Sequence, residues 1–168
     1  MKEFLPMNDN VFKEAPKHMQ PVALIKLEDT RAKPLRAHAT DAGADLFSNT
    51  EIAIYPGETK MVDTGVAIKI PVGYVGLVYN RSSQGKINVT IPHSVGVIDA
   101  DYRGNIKVLL TNNGEDPYFI SRFSTRVAQL VISPVVLVEF KSWDATTEAW
   151  DDTVRGTGGF GSTNKGNK

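Results

Sequence analysis

The chain predicts an all-β protein, a sandwich or barrel with a C-terminal arm. Three observations carry that expectation. Apolar residues alternate with a period of two in segment after segment, the pattern of strands with one buried face. Turn-forming pairs punctuate those segments at short intervals. No long stretch shows the three-to-four-residue apolar spacing of an amphipathic helix.

The elements follow in order. Ile52 and Ile54 share a face, as do Val62, Val66, Ile68 and Ile70. The pattern returns at Ile87, Val89 and Ile91, at Ile106, Val108 and Leu110, and at Val136, Val138 and Phe140. Pro56-Gly57, Pro71-Val72-Gly73, Asn112-Asn113-Gly114 and Ser133-Pro134 separate them, each rich in residues that pre-set or tolerate turn dihedrals. Residues 144–152 (DATTEAWDD) could form one short helix. Residues 1–21 read as an N-terminal extension of unknown role, residues 22–143 as the β core, and residues 144–168 as a glycine-rich, mobile arm.

Composition removes several function classes. At 41% hydrophobic and 23% charged, 168 residues suit one packed domain. Nineteen basic residues balance nineteen acidic ones, so the basic excess of a duplex nucleic-acid binder is missing and no nucleic-acid partner is expected. The chain has no cysteine, which excludes disulfides, thiolate nucleophiles and cysteine-based zinc sites. His18, His38 and His93 lack the spacing of a histidine metal site. No apolar run suits a signal peptide or a membrane span, so a reducing, cytoplasmic setting without a membrane partner is expected.

Five separated segments point toward a nucleoside triphosphate. They read ATDAGADL (39–46), NRSSQG (80–85), GVIDADYRG (96–104), RVAQL (126–130) and RGTGGFGST (155–163). Arg81-Ser82-Ser83 ends a strand; amides of a turn, two hydroxyls and a guanidinium suit an anion. Asp99 and Tyr102 place a carboxylate and an aromatic ring in one short link between strands. Gly156, Gly158 and Gly161 satisfy G-x-G-x-x-G, but too few residues follow for the helix a dinucleotide fold requires. Arg155 can still fork onto phosphate oxygens, and Phe160, flanked by glycines, can lie on a flat base.

Taken together, the order and spacing of these segments resemble the trimeric deoxyuridine triphosphate nucleotidohydrolases (dUTPases). GVIDADYRG and RGTGGFGST, about fifty residues apart, are the most specific pair. The resemblance implies a jelly-roll protomer, a homotrimer and active sites shared between subunits. It implies hydrolysis of dUTP to dUMP and pyrophosphate, with Asp99 orienting the attacking water and Mg²⁺ as the cofactor. Asp45 would hold the ion through water. Ser82, Ser83 and Arg81 would bind phosphate oxygens, with Lys107 and Gln129 nearby. Gly96, Val97 and Ile98 would read the uracil edge with main-chain groups, and Tyr102 would sit against the sugar. Arg155, Gly161 and Ser162 would reach the terminal phosphate as the arm closes, and Phe160 would cover the base.

Two positions depart from the family pattern. Ser83 stands where a glycine is usual, and His93 where relatives often carry an asparagine that touches the base. Rival readings are a dCTP deaminase, which carries a glutamate where Asp99 stands, and a non-catalytic jelly-roll module that binds or regulates.

Overall fold

The computed structural model describes residues 22–144, 146, 149–150 and 153–158. Ten strands and one helical turn of α type dominate it. In chain order the strands are β1 (Leu24–Leu27), β2 (Ala44–Phe47), β3 (Ile52–Ile54), β4 (Thr59–Lys69) and β5 (Tyr74–Tyr79). The helical turn α1 (Ser82–Gly85) follows, then β6 (Val89–Thr90), β7 (Gly96–Ile98), β8 (Asn105–Asn112), β9 (Tyr118–Ile120) and β10 (Arg126–Pro134). All the pairings are antiparallel. One four-stranded sheet runs β1-β4-β8-β6 and the other β2-β10-β5-β7, with a β3-β9 ribbon beside them. The protein is therefore all-β, as the alternation predicts, and jelly-roll-like, as the resemblance implies.

The inward residues of the two sheets form one core. Val62, Ile68, Ile106, Val108 and Leu110 come from the first sheet; Leu46, Val78, Ala128 and Leu130 come from the second. Burying such aliphatic side chains stabilises by about 1.5–3 kcal/mol each. The expected turns fall at Gly57 and Gly73, whose φ angles of +80° and +85° suit glycine and strain other residues. In β4 the ladder to β8 shifts register between Asp63 and Ala67, a bulge at which Gly65 takes φ +66°. Asp63 stabilises it by accepting the Gly65 amide at 2.6 Å.

Three sequence expectations change. The alternation at Val136, Val138 and Phe140 does not form a strand. β10 ends at Pro134, and Val136, Leu137, Val138 and Phe140 are 83, 75, 58 and 94% exposed. Alternation supplies a face, but a strand also needs a neighbour for its backbone groups, and this segment has none among the described residues. Around Ile87 the pattern is cut short because Asn88 adopts φ +55°, leaving only Val89–Thr90 in a ladder and Ile87 exposed. The turn expected at Arg81–Gly85 forms as one turn of helix, Ser82–Gly85, with Arg81 at its N-cap. No described residue within 144–152 is helical.

Chain contacts divide the protein into a compact unit ending at Val136 and a second from Leu137. Within the second, Trp143 and Trp150 meet edge to face with ring centres 5.5 Å apart.

Candidate active site

The second sheet builds a cleft of about 450 Å³ at the ends of β2, β5 and β10. Asp45 on β2 and Gln129 on β10 are direct cross-strand partners, and Gln129 also pairs with Tyr79 on β5. Arg81 and Ser82 follow β5 at the same end, and all four residues line the cleft. Four of the residues singled out in the sequence thus converge through register alone.

Ion pairs hold the cleft's charged groups. Arg81 Nε donates to Asp45 Oδ1 at 2.7 Å and its Nη2 reaches Asp45 Oδ2 at 3.4 Å. Arg126 approaches the same Oδ2 at 3.4 Å. Arg81 Nη1 donates to Ser83 Oγ at 3.3 Å, so the serine replacing the usual glycine helps to orient the guanidinium. Gln84 and Gly85 donate their amides to the Arg81 carbonyl, which leaves the Ser82 and Ser83 amides at the open end of the turn. Arg81, Arg126 and Ser82 line one space, and guanidiniums with a hydroxyl are donors a polyphosphate needs.

His38 and Asp41 add to the cleft wall. The His38 amide donates to Asp41 Oδ2 at 2.8 Å, and the His38 ring lies 3.3 Å from the same oxygen. The amide bond holds the Asp41 carboxyl below its ordinary value; burial opposes it, and the His38 ring adds a lowering effect smaller than either. Gly43 packs against Gln129: a Cβ there would lie 2.5 Å from Gln129 Oε1 and 3.3 Å from its Cβ, so the Gln129 side chain would have to move. Gln129 itself donates to the Asn80 carbonyl at 2.9 Å.

Asp99 stands elsewhere in the same chain. β7 pairs with β5 so that Ile98 faces Gly76, which puts exposed Asp99 beside Val75. Arg81 lies six residues further along from Val75. At about 3.3 Å per residue the separation is about 20 Å. Tyr102 is near Asp99, its amide bonded to the Asp99 carbonyl at 3.1 Å and its hydroxyl donating to the Asn105 carbonyl at 2.9 Å. Its ring lies over Gly104, where a Cβ would meet Tyr102 Oη at 2.5 Å and Cζ at 2.8 Å.

Gly96, Val97 and Ile98 form β7, the edge of the second sheet, so among the described residues one side of their backbone has no strand beside it. His93 precedes them, exposed, with Nδ1 3.1 Å from the Val95 carbonyl. Lys107 projects from β8 in the other sheet, opposite Asp63, and does not line the cleft. In the second unit, Arg155 Nε donates to the Gly158 carbonyl at 3.0 Å, closing a local turn. Phe160, Gly161 and Ser162 lie outside the described residues.

Arg126, Gln84, His38, Asp41 and Gly43 are site features that the sequence reading did not single out. Arg126 and Gln129 are three apart, and strict alternation would put them on opposite faces. The β10–β2 ladder shifts register between Arg126 and Ala128, which brings both to the cleft. Buried Gln84 carries no sequence signal that separates it from a surface turn residue.

Comparison with known proteins identifies the family. The dUTPase family model matches residues 30–164. The deoxyuridine 5'-triphosphate nucleotidohydrolase of Corynebacterium glutamicum is 46% identical over 146 residues, covering 86% of this chain and 95% of the relative. That of Rhodococcus erythropolis is 43% identical over 142 residues, covering 84% of each. The dUTPase of Staphylococcus bacteriophage 80alpha, solved with dUPNHPP, matches with a TM-score of 0.74 at 32% identity, covering 84% of this chain and 97% of that one. A mutant dUTPase from phage phi11 of S. aureus, solved to describe the coordination of a structural Mg(II) ion, has a TM-score of 0.67 at 30% identity, covering 73% and 97%. The match spans the strands, the Arg81 cleft and the Asp99 link alike, and the chain belongs to the dUTPase family.

Proposed function

We propose that this protein hydrolyses dUTP to dUMP and pyrophosphate, which limits uracil in DNA and supplies dUMP for thymidylate synthesis. The observation that carries the reading is the cleft in which Arg81, Arg126, Ser82 and Gln129 converge on one polyphosphate-sized space. Asp99 accepts a proton from water as the water oxygen bonds to the α-phosphorus. The bond from that phosphorus to the bridging oxygen breaks, and pyrophosphate leaves with its electron pair. Most of the rate enhancement comes from positioning and from neutralising charge on the phosphate oxygens.

Asp99 and Arg81, about 20 Å apart in one chain, are too distant to serve one nucleotide. A site therefore combines the Arg81 cleft of one copy with the Asp99 and Tyr102 link of another, and a homotrimer satisfies this. The backbone edge of Gly96–Ile98 reads uracil, with His93 beside it. A buried edge built to pair with one base rejects others because its own polar groups would be left unpaired. Tyr102 packs against the deoxyribose. Lys107 and the arm residues Arg155, Phe160, Gly161 and Ser162 complete the phosphate and base contacts from neighbouring copies.

Magnesium fits this donor set. Among the described residues no three carboxylates or histidines form a direct metal cage. Mg²⁺ keeps several waters and binds through one or two carboxylates together with substrate phosphates. Asp45, at the cleft wall, would hold such waters. When bound, the ion would neutralise charge on the triphosphate oxygens.

The test is incubation with each deoxynucleoside triphosphate and with UTP, in the presence of Mg²⁺, followed by pyrophosphate and ammonia assays. Pyrophosphate from dUTP alone supports the reading. Ammonia from dCTP, or no turnover of any nucleotide, overturns it.

Two glycines give further expectations. Gly43→Ala displaces Gln129 from the cleft and lowers kcat/KM for dUTP by about 10–10²-fold, the scale of small misplacements in a site. An unaltered kcat/KM in a folded variant would remove Gln129 from the phosphate contacts. Gly104→Ala pushes the Tyr102 ring off its bond to Asn105. UTP hydrolysis relative to dUTP then rises about tenfold, the scale on which one group's fit discriminates substrates. Competition between the two nucleotides reads the ratio directly.

A further inference from the structure

The helical turn α1 carries a side chain that the chemistry above does not use. Gln84 is 2% exposed. Its Oε1 accepts the Arg81 amide at 3.1 Å, and its Nε2 donates to the Val127 carbonyl at 3.0 Å. One side chain thus joins the first residue of the phosphate turn to β10, next to Arg126 and two residues from Gln129. Tyr118 stands behind it. Burial pushes the Tyr118 hydroxyl up, offset first by a hydrogen bond from Gln84 and then by the Arg81 charge.

A buried amide is unfavourable unless both its ends are bonded, and an apolar side chain of equal length would fill the same space without that demand. What the amide adds is registry. The turn cannot slide along β10 without breaking a bond and leaving a buried polar group unpaired. Apolar packing alone would tolerate such a slide.

We propose that Gln84 is a positioning residue that sets Arg81 and the Ser82 and Ser83 amides against Arg126 and Gln129, so that groups from two elements grip the same phosphates. The proposal rests on dUTP as substrate for its kinetic consequence but not for its structural one. Gln84 touches no phosphate itself; it acts through the Arg81 backbone and the Val127 carbonyl.

The test uses the full chain carrying Gln84→Met, which keeps the volume and removes both bonds. In ligand-free protein, hydrogen exchange at the bonded amides of the turn, those of Arg81, residue 84 and Gly85, should speed up about tenfold, while β4 and β8 keep their protection. With dUTP, kcat/KM should fall about tenfold, while competitive inhibition by deoxyuridine, which has no phosphates, stays unchanged. Gln84→Glu retains an oxygen for the Arg81 amide and should recover part of both properties, the more so at low pH, where the neutral carboxyl can also donate to Val127. It also serves as the second variant should Gln84→Met fail to fold. Unchanged exchange at the turn, equally faster exchange throughout the core, or parallel weakening of deoxyuridine and dUTP would each overturn the proposal. If the wild-type protein leaves dUTP intact, the proposed function falls, and the exchange comparison still decides whether Gln84 is the anchor.

Discussion

Asp99→Asn should lower turnover of dUTP by about 10²–10⁴ while the nucleotide still binds. The amide has nearly the shape of the carboxylate but cannot take a proton from water. Asp99 is exposed at the end of an edge strand, and no hydrogen bond to its side chain supports the fold, so the substitution should leave stability near wild type. Single-turnover assays separate the chemical step from binding. Near-normal turnover would mean that another group activates the water.

Arg81→Met should be comparably severe but should act through binding as well as rate. The guanidinium makes charge-assisted contacts that a thioether cannot replace. Two such contacts to phosphate, at about 1.5–3 kcal/mol each, amount to about 10²–10⁴-fold in kcat/KM. The substitution also leaves Asp45 with only the 3.4 Å approach of Arg126, adding a poorly compensated negative charge where phosphates must enter. Arg81→Lys should rescue little, because an ammonium cannot fork across two oxygens. The two inactive variants offer a joint check. Asp99 and Arg81 are about 20 Å apart in one chain, so Asp99→Asn and Arg81→Met chains refolded together should regain activity that neither has alone. Failure to complement would place both residues in one chain's site and end the shared-site reading.

The sequence made the strands legible where burial was one-sided and a partner existed. β8 shows this well: Ile106, Val108 and Leu110 are buried and the residues between them less so. The turn glycines were equally legible, because a positive φ narrows the choice of residue. The segment after Pro134 misled because its alternation is as clean as that of β8, yet pairing is a property of neighbours and not of the segment itself. The cleft was half visible. Asp45, Arg81, Ser82 and Gln129 stand out within segments of unusual chemistry, whereas Arg126 and Gln84 lie in the same segments without standing out. Arg126 joined them through a register shift, and Gln84 through a bond to a main-chain carbonyl 43 positions away, neither of which side-chain identity encodes.

The Asp45 ion pairs have a consequence for how the site meets its substrate. In the proposed site this carboxylate would act as a surrogate phosphate, pairing with Arg81 and Arg126 where the substrate's phosphates are proposed to bind. A freely rotating arginine would forfeit up to about 2 kcal/mol of rotamer freedom on capture; here most of that ordering is already complete. Capture becomes a trade of one anion for another, and its strength is set by how much better the triphosphate satisfies the arginines than the resident carboxylate does.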